Sequence, residues 1–344
     1  MRVAIIGYGG VGRAFVQLIN GKKDYLHKEG LQIQVNYIIG RNGGVYNCAG
    51  IDIKDFMEFG SKQKDITKYS KGGNEEVSFK KMLQNRDVDV VIELTPTNKE
   101  TGEPGMTHIK KSLEYGINVV TANKGPILLA YKELKDIAVK NKVQLGIGCT
   151  TGGALPSING GMMDLAGADI LSIEGVLNGT TNFIINEMEK NKITYLEALK
   201  KAQQLGIAET NPTLDVEGWD TATKLLILTN ILMNGEKSLD DISIEGITKI
   251  TPEEVENCLE EGNKYKLVGK TVKENGEIRM TVKLEKLDPT HPLYVVDGKN
   301  KAVRYVTDVL GDLTIIGGAS GVIPAGASVL RDLININRGY RFCK

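Results

Sequence analysis

The stretch Val3-Ala4-Ile5-Ile6-Gly7-Tyr8-Gly9-Gly10-Val11-Gly12 decides the fold of the N-terminal part of the chain. Its apolar first half predicts a short buried strand, and the apolar spacing of residues 11–19 predicts a helix after the turn. A G-x-G-x-x-G string between a strand and a helix is typical of a dinucleotide-binding unit. Gly7 permits the tight turn, Gly9 lets the backbone approach a pyrophosphate, and Gly12 allows close helix–strand packing.

The first turn of the predicted helix supplies the groups that would bind phosphate. Gly10 and Val11 stand where free backbone N–H groups and the positive end of the helix dipole favour an anion. The alternative is a glycine-rich turn without a ligand, which the position between strand and helix disfavours. The candidate cofactor-binding residues of this turn are Gly7, Gly9, Gly10, Val11 and Gly12.

Strands and helices alternate through residue 148. Near-continuous apolar strands that alternate with helices indicate a parallel sheet covered on both faces, so residues 1–148 are predicted to form a doubly wound, Rossmann-type α/β domain. The further predicted strands are 33–39, 88–94, 117–120 and 143–147, and the further predicted helices are 77–83, 108–115 and 127–139.

The rhythm of the sequence changes after Thr150. Residues 149–312 mix helices with alternating strands such as 278–284, which predicts an α+β domain for substrate binding and dimerisation, with helices on one side of antiparallel strands. The C-terminal segment 313–344 combines a glycine-rich turn with a helical pattern, and we expect it to return to the nucleotide domain.

Composition excludes several classes of function. The 344 residues carry 43 Lys plus Arg and 43 Asp plus Glu, and this zero net charge argues against a general nucleic-acid partner. No apolar run approaches the roughly 18 residues of a membrane span, and the N-terminus does not resemble a signal peptide, so we expect a cytoplasmic protein. Four cysteines and three histidines are widely dispersed, which argues against a zinc site, a disulfide framework or a histidine triad.

The end of the second predicted strand indicates which dinucleotide binds. An NAD site usually has a carboxylate there, which accepts a hydrogen bond from the ribose 2′-hydroxyl. This chain instead reads Ile38-Ile39-Gly40-Arg41-Asn42. Arg41 is suited to pair with a 2′-phosphate, so NADP is favoured while NAD stays open. The alternative is that Arg41 is a solvated loop residue.

Two more predicted strands end in polar residues. Thr95 follows the strand 88–94, and Lys124 follows the strand 117–120 within Thr121-Ala122-Asn123-Lys124-Gly125-Pro126. Ligands bind at the carboxyl ends of parallel strands, so Thr95 is a candidate cofactor contact. Lys124 is a candidate cation near both nicotinamide and substrate, although a surface lysine at a strand end is an equally ordinary reading.

The second domain carries the candidate reaction chemistry. Asp220 and Lys224 are four residues apart at a predicted helix start and therefore share one face. An exposed ion pair of about 0.3–0.5 kcal/mol is the ordinary explanation of this spacing. The apolar residues 225–228 that follow indicate a buried helix, where a lysine needs a reason. Hydride transfer to a carbonyl leaves an alkoxide that needs a proton donor or a cation, and a lysine beside a carboxylate supplies both.

The chain resembles homoserine dehydrogenase over nearly its whole length. The most specific matching segments are Asn178-Gly179-Thr180-Thr181-Asn182 and the stretch from Glu209 to Lys224, and His291-Pro292-Leu293 also matches. The resemblance implies reversible NAD(P)-dependent reduction of L-aspartate 4-semialdehyde to L-homoserine, in the biosynthesis of threonine, isoleucine and methionine.

The resemblance also implies roles for individual residues. Lys224 matches the proton donor, and Asp220 and Lys124 match residues that position the reacting centre. Glu209 matches a substrate-binding residue, and it stands on a turn where it could hold an ammonium group. Asp215 from the same stretch and Thr180 from the polar loop complete the expected substrate-binding set.

Further features of the family are expected with differences. The family has a main-chain sodium site that would fall on Thr151, Gly153 and Leu155, but Gly148 stands where its carboxylate would be, so sodium binding is doubtful. Gly321 matches a glycine of the C-terminal turn and joins the expected cofactor contacts. The resemblance suggests a homodimer. The regulatory ACT domain of many relatives is not expected here, and the same holds for the feedback inhibition it confers.

Two other readings of the sequence were open. Cys149, with Thr150 and Thr151 after it, stands where a cysteine-dependent dehydrogenase of the glyceraldehyde-3-phosphate type places its nucleophile, but the next histidine, His291, is far along the chain. A non-catalytic NADP sensor with the same fold is the second alternative, against which Lys224 and Asp220 argue. Cys343, near the C-terminus, is a lone cysteine for which exposure and a redox role are conceivable.

Overall fold

The computed structural model describes residues 1–343 and divides the chain into two compact units. The first unit comprises Met1–Gly153 together with the chain from Gly321 onward, and the second comprises Ala154–Ser320. The structure thus differs from the expected boundaries, because the second unit begins after Gly153 and the return begins at Gly321 instead of residue 313. No helix within residues 1–343 combines the length and apolarity that a bilayer crossing requires.

Thirteen strands and fourteen α-helices are formed within the described residues. The strands are β1 (Arg2–Ile6), β2 (Gln34–Gly40), β3 (Gly43–Tyr46), β4 (Gly73–Asn74), β5 (Val90–Glu93), β6 (Asn118–Thr121), β7 (Leu145–Gly146), β8 (Ile170–Val176), β9 (Ile242–Ile244), β10 (Lys264–Glu274), β11 (Glu277–Leu287), β12 (Lys301–Thr307) and β13 (Asp312–Gly317). The helices are α1 (Gly10–Gly21), α2 (Lys23–Lys28), α3 (Ile53–Lys62), α4 (Phe79–Asn85), α5 (Gly105–Glu114), α6 (Lys124–Lys140), α7 (Cys149–Gly152), α8 (Ser157–Asn159), α9 (Gly179–Asn191), α10 (Tyr195–Gln204), α11 (Thr213–Val216), α12 (Trp219–Leu232), α13 (Pro252–Glu260) and α14 (Val322–Asn337).

The first unit is built on a seven-stranded sheet in the order β4-β3-β2-β1-β5-β6-β7. The five adjacent strands β2, β1, β5, β6 and β7 run parallel, which confirms the predicted Rossmann-type class. The chain moves from β1 outward to β2 and later returns to the other side of β1 with β5. This reversal of strand order opens a crevice at the carboxyl ends of β1 and β5, where α/β proteins bind their ligands.

The outer edge of this sheet was not predicted. Strands β3 and β4 add antiparallel pairs beyond β2, and β3 contains two consecutive glycines. A Cβ on Gly44 would lie 2.4 Å from the Ile38 carbonyl oxygen, so glycine is needed for the close approach of the two strands. Glycine also removes the hydrophobic periodicity by which a strand is recognised, which explains why this edge left no clear signal.

Helix α14 closes the first unit by packing against α1. A Cβ on Gly326 would lie 3.1 Å from the Phe15 amide nitrogen, so glycine lets the two helix backbones approach. The start of α14 also reaches the nucleotide turn, because a Cβ on Gly10 would lie 2.8 Å from Val322 Cγ1. The C-terminal helix therefore supports the first turn of α1, as the segment's expected return to the nucleotide domain implied.

The second unit contains a six-stranded sheet in the order β13-β12-β8-β10-β11-β9, antiparallel except for the β11–β9 pair. The buried helix α12 packs on it through Gly269 of β10, where a Cβ would lie 3.0 Å from Thr221 Cγ2. The hydroxyls of Thr229 on α12 and Thr271 on β10 form a buried 2.7 Å hydrogen bond across the same contact. This packing holds the N-terminal half of α12, which carries Lys224, close to the carboxyl end of β8.

Candidate active site

The glycine-rich turn after β1 has the geometry of a phosphate-binding turn. Gly7 has a φ of +99° and donates its N–H to the Ile39 carbonyl at 2.9 Å, and a Cβ there would lie 2.6 Å from the Leu94 carbonyl carbon. A Cβ on Gly12 would lie 2.3 Å from the Gly7 carbonyl oxygen, so both glycines are required by packing within the protein.

Packing within the protein does not explain the glycine at position 9. It precedes α1, and a Cβ built on it would meet no atom of the protein within 4 Å. The space over Gly9 is therefore open, as a cradle for a pyrophosphate needs to be, and the N–H groups of Gly10 and Val11 start the helix beside it. The residues present thus fit a dinucleotide. Gly321, whose φ is +115°, precedes Val322 and so lies next to this turn.

Arg41 occupies the turn that joins β2 to β3. Gly40 and Gly43 pair across this two-residue turn, so Arg41 follows β2 immediately and its side chain is exposed. The carboxyl end of β2 is where a dinucleotide fold recognises the adenosine ribose. The position of Arg41 is compatible with contact to a 2′-phosphate.

The carboxyl ends of β5 and β6 are joined by a polar network that centres on a residue the sequence analysis missed. Glu93, the last residue of β5, is completely buried. Its Oε1 accepts hydrogen bonds from the Thr95 amide (3.0 Å) and from the Thr95 hydroxyl, and its Oε2 accepts one from the Thr121 hydroxyl at 3.1 Å. A carboxylate inside an otherwise apolar strand was the signal that could have identified it.

Lys124 is the first residue of α6, and its side chain is half-buried. Asn123 precedes it and caps the helix, because its Oδ1 accepts a hydrogen bond from the Gly125 N–H at 3.1 Å. Asn123 Nδ2 also donates to Thr95 Oγ1 at 3.3 Å. The first unit therefore brings Thr95 and Lys124 to neighbouring strand ends, on the side of the sheet where the nucleotide turn lies.

In the second unit, Lys224 and Asp220 form a largely buried ion pair. Lys224 Nζ lies 2.5 Å from Asp220 Oδ2 and donates to the Leu177 carbonyl at 2.8 Å. The two side chains are only 14% and 13% exposed, which excludes the solvated surface pair considered from the spacing. The ammonium group is thus fixed beside the loop that follows β8.

Asn178 in that loop connects both acidic residues of the stretch that follows. Its Nδ2 donates to Asp215 Oδ1 at 2.7 Å and to Asp220 Oδ2 at 2.9 Å. Its Oδ1 accepts from the Thr181 N–H at 2.9 Å and caps α9. This role of Asn178 could not be inferred from its motif, because its two carboxylate partners are 37 and 42 residues away in the sequence.

Thr180 and Glu209 lie near this centre in different environments. The Thr180 hydroxyl donates to the Ile207 carbonyl at 3.1 Å and so ties the start of α9 to the turn that carries Glu209. The Glu209 side chain is exposed, while its carbonyl accepts from Gln203 Nε2 at 3.2 Å. The second unit therefore places a cation and the carboxylates of Asp215 and Asp220 around one polar loop, which suits a small ligand that carries an ammonium group.

The remaining candidates are placed elsewhere. Cys149 is buried, and its Sγ lies 3.6 Å from the Ala325 carbonyl oxygen. His291 Nε2 lies 3.2 Å from Glu174 Oε2, so its nearest acidic partner is on β8. Cys343 is buried and not exposed as considered, and burial raises the pKa of its thiol. These environments argue against a reactive thiolate at either cysteine.

The expected sodium ligands lie on the segment around the boundary of the two units. Thr151 belongs to α7, Gly153 follows it with a φ of +62°, and Leu155 is buried. Within residues 1–343, no group of three or more Cys, His, Asp or Glu side chains is arranged to hold a metal ion. A sodium site built from main-chain carbonyls stays a prediction.

A doubly wound unit with an open glycine cradle, followed by a unit that buries a lysine against a carboxylate, defines a nicotinamide-dependent dehydrogenase. Models of known protein families agree with this class. The homoserine dehydrogenase model matches residues 156–334, and the model of the homoserine dehydrogenase NAD-binding domain matches residues 7–147. The chain belongs to the homoserine dehydrogenase family, as its sequence motifs implied.

Known proteins of the family match the chain along its length. A homoserine dehydrogenase of Methanocaldococcus jannaschii is 39% identical over 336 residues, which are 98% of this chain and 98% of that protein. The NAD(+)-dependent homoserine dehydrogenase of Pseudomonas canavaninivorans is 32% identical over 340 residues, which are 98% of this chain and 96% of that protein. A hyperthermophilic archaeal homoserine dehydrogenase mutant, solved in complex with NADPH, has a TM-score of 0.83 and 25% identity over 100% of this chain and 99% of its own.

Family membership confirms the activity predicted from the sequence. The protein is an NAD(P)-dependent oxidoreductase of amino-acid biosynthesis that acts on the CH–OH group of homoserine. The cysteine-dependent alternative and the non-catalytic sensor are both excluded. The relatives' names include both cofactor types, so the choice between NAD and NADP depends on this chain's own residues.

Proposed function

We propose that Lys224 is the proton donor in the reduction of L-aspartate 4-semialdehyde to L-homoserine and the proton acceptor in the reverse reaction. The observation that carries this proposal is the Lys224 ammonium group, held 2.5 Å from Asp220 and 2.8 Å from the Leu177 carbonyl with little exposure to solvent. When bound, the reduced nicotinamide cofactor would supply the hydride that the aldehyde carbon accepts. Lys224 delivers a proton to the aldehyde oxygen, so no free alkoxide forms.

The neighbouring residues bind and orient the substrate in this proposal. Asp220 fixes the lysine side chain, and Asp215 and Glu209 provide negative charge for the α-ammonium group of the amino acid. Thr180 belongs to the same polar loop and contributes to substrate binding. Lys124 provides a positive charge at the strand end of the nucleotide unit, where it contacts the cofactor or the substrate.

NADP is the proposed preferred cofactor, with NAD as the weaker alternative. The support is that Arg41 follows β2 directly, while no carboxylate stands at this strand end to accept from a 2′-hydroxyl. The cofactor contacts proposed with it are Gly7, Gly9, Gly10, Val11, Gly12, Thr95, Lys124 and Gly321. Arg41→Ala is expected to raise KM for NADP about tenfold, since one charge-assisted hydrogen bond contributes about 1.5 kcal/mol, and to leave KM for NAD unchanged. An unchanged ratio of the two KM values would remove Arg41 from the site.

A homodimer in the cytoplasm is also proposed. In the second unit, Val309 and Leu310 expose 69% and 55% of their surface at the β12–β13 turn, and an apolar contact there would cover them. No disulfide joins the four cysteines, all of which lie within the described residues, as is usual in a reducing compartment. Sedimentation equilibrium tests the dimer: a single species at the monomer mass at micromolar concentration would contradict it.

The activity is tested with the wild-type protein alone. The oxidation of NADPH on addition of L-aspartate 4-semialdehyde, followed at 340 nm, should be fast, and the reverse reaction should require L-homoserine. Replacing sodium chloride by choline chloride in the same assay tests the sodium prediction at Thr151, Gly153 and Leu155. The absence of semialdehyde-dependent NADPH oxidation would contradict the proposed reaction.

A further inference from the structure

Glu93 is a buried acidic residue for which the reaction scheme above has no use. It is 0% exposed at the end of β5, next to the point where the strand order of the sheet reverses. Burial of a carboxylate is unfavourable unless hydrogen bonds compensate for the lost water. An apolar side chain would fill this place in an apolar strand at lower cost. The presence of a carboxylate at this place must therefore be explained by the groups that it binds.

The hydrogen bonds of Glu93 all lead to the two strand-end segments. Thr95, after β5, gives its amide and its hydroxyl to Oε1, and Thr121, at the end of β6, gives its hydroxyl to Oε2. The Thr121 hydroxyl oxygen also accepts from the Asn123 N–H at 2.9 Å. A single carboxylate thus holds Thr95, the second residue after β5, and Thr121, the last residue of β6, in one arrangement.

Asn123 extends this network to the start of α6. Its Nδ2 donates to Thr95 Oγ1 at 3.3 Å and to the Pro96 carbonyl at 3.5 Å, and its Oδ1 caps α6 at Gly125. Lys124 lies in the chain between Asn123, which caps the helix, and Gly125, whose N–H group is capped. The direction in which α6 begins, and with it the position of Lys124, therefore depends on the segment that Glu93 fixes.

His108 lies behind the carboxylate. Its Nδ1 is 3.7 Å from Glu93 Oε1, and its ring packs on Phe79 with a centroid distance of 4.6 Å. Nδ1 is buried and has no hydrogen-bond partner among residues 1–343. His108 on α5 thus lies against Glu93 on the side away from Thr121, without a hydrogen bond to it, and the hydrogen bonds of the carboxylate go to the two segments described.

We propose that Glu93 is a positioning residue that locks the 95–96 and 121–124 segments together to form the nicotinamide-facing edge of the nucleotide unit. This rests on the proposed cofactor site. Glu93 does not touch the reacting atoms and acts through Thr95 and through the Asn123–Lys124 pair. Its loss loosens this edge of the cofactor site, which borders the glycine turn where Leu94 approaches Gly7.

The test compares Glu93→Met, which keeps the size and removes every acceptor, with Glu93→Gln, which keeps an acceptor for Thr95. The Kd of NADPH, measured by its fluorescence without substrate, should rise at least tenfold in Glu93→Met and less than threefold in Glu93→Gln. Amide exchange of Thr95 in the free protein should accelerate in Glu93→Met alone. A Kd within threefold of wild type in Glu93→Met, or equal losses in both variants, would overturn the proposal.

Two further pairs of variants keep the test decisive. Should Glu93→Met not fold, Thr121→Val, which removes the bridging hydroxyl, should weaken NADPH binding while Thr121→Ser restores it, and equal Kd values for the two would overturn the proposal. Thr107→Val is the matched control, because it breaks an exposed Thr107–Glu103 side-chain bond on α5 and should leave the Kd unchanged. Wild-type turnover of homoserine is measured separately, so a failure of the proposed function appears in the wild type and not in these comparisons.

Discussion

Replacing Asn178 by Ser separates two roles that the structure gives to one side chain. The side-chain oxygen Oδ1 of Asn178 caps α9, and the side-chain Nδ2 donates hydrogen bonds to Asp215 and Asp220. Serine is as good an N-cap as asparagine, but its hydroxyl is too short to reach both carboxylates. Asn178→Ser should therefore keep the helix start and lose the two charge-assisted hydrogen bonds.

The expected magnitude follows from these two bonds. A hydrogen bond to a charged group contributes about 1.5–3 kcal/mol, so the loss of two costs about 3–6 kcal/mol in total. Part of this affects the free protein and the transition state equally. About 2.7 kcal/mol of lost transition-state stabilisation, a hundredfold fall in kcat/KM for homoserine, is the result we expect. The urea midpoint should correspond to a loss of only about 1 kcal/mol.

The assay is initial-rate kinetics of homoserine oxidation with NADP, alongside urea unfolding of the same samples. Asn230→Ser is the matched control, because Asn230 on α12 also makes two amide hydrogen bonds, both to the backbone of Lys237. It should lower stability and leave kcat/KM unchanged. A kcat/KM for Asn178→Ser within threefold of wild type would refute the reasoning, as would an equal loss in the control.

Three more outcomes are expected. Gly9→Ala should raise KM for NADP without changing the stability of the fold, because its Cβ meets only open space. Gly12→Ala should destabilise the fold by several kcal/mol, because its Cβ would clash with the Gly7 carbonyl oxygen. Equal stabilities of the two variants in urea unfolding would contradict this. Burial raises the pKa of Glu174, but its bond to Lys270 and nearby cations outweigh burial and lower the pKa, so this carboxylate stabilises the fold above about pH 4.3 and the benefit disappears at lower pH. Glu174→Gln should thus be less stable than wild type at pH 7, and urea titrations should show the difference shrinking as the pH falls through the lowered pKa of Glu174. Cys149→Ser should stay active, and complete loss of activity would restore a role for the thiol.

The nucleotide unit could be predicted from the sequence because its signals are local. The apolar strand β1, the spacing of Gly7, Gly9 and Gly12, and the helix after them lie within twenty residues, and each follows from backbone geometry alone. The edge strands β3 and β4 could not be predicted in the same way. Their glycines serve contacts with other strands that become visible only in the folded chain.

The side chains of the proposed active site show a similar division. The proximity of Asp220 and Lys224 could be predicted because the two residues are four apart on one helix. The roles of Asn178 and Glu93 could not, since their hydrogen-bond partners are brought to them by the fold: Thr121 reaches Glu93 from 28 residues away, and Asp220 reaches Asn178 from 42. Strand β13 is a similar case, because it is identified by its pairing with β12 and not by its own sequence pattern.

The turnover of Lys224→Ala tests the central claim most directly. Measured with saturating NADP and L-homoserine, kcat should fall at least a thousandfold while the Kd of NADPH and the circular dichroism spectrum stay close to wild type, and added methylamine should restore part of the rate by replacing the lost amine. A kcat within tenfold of the wild-type value would contradict the assignment of Lys224 as the proton donor.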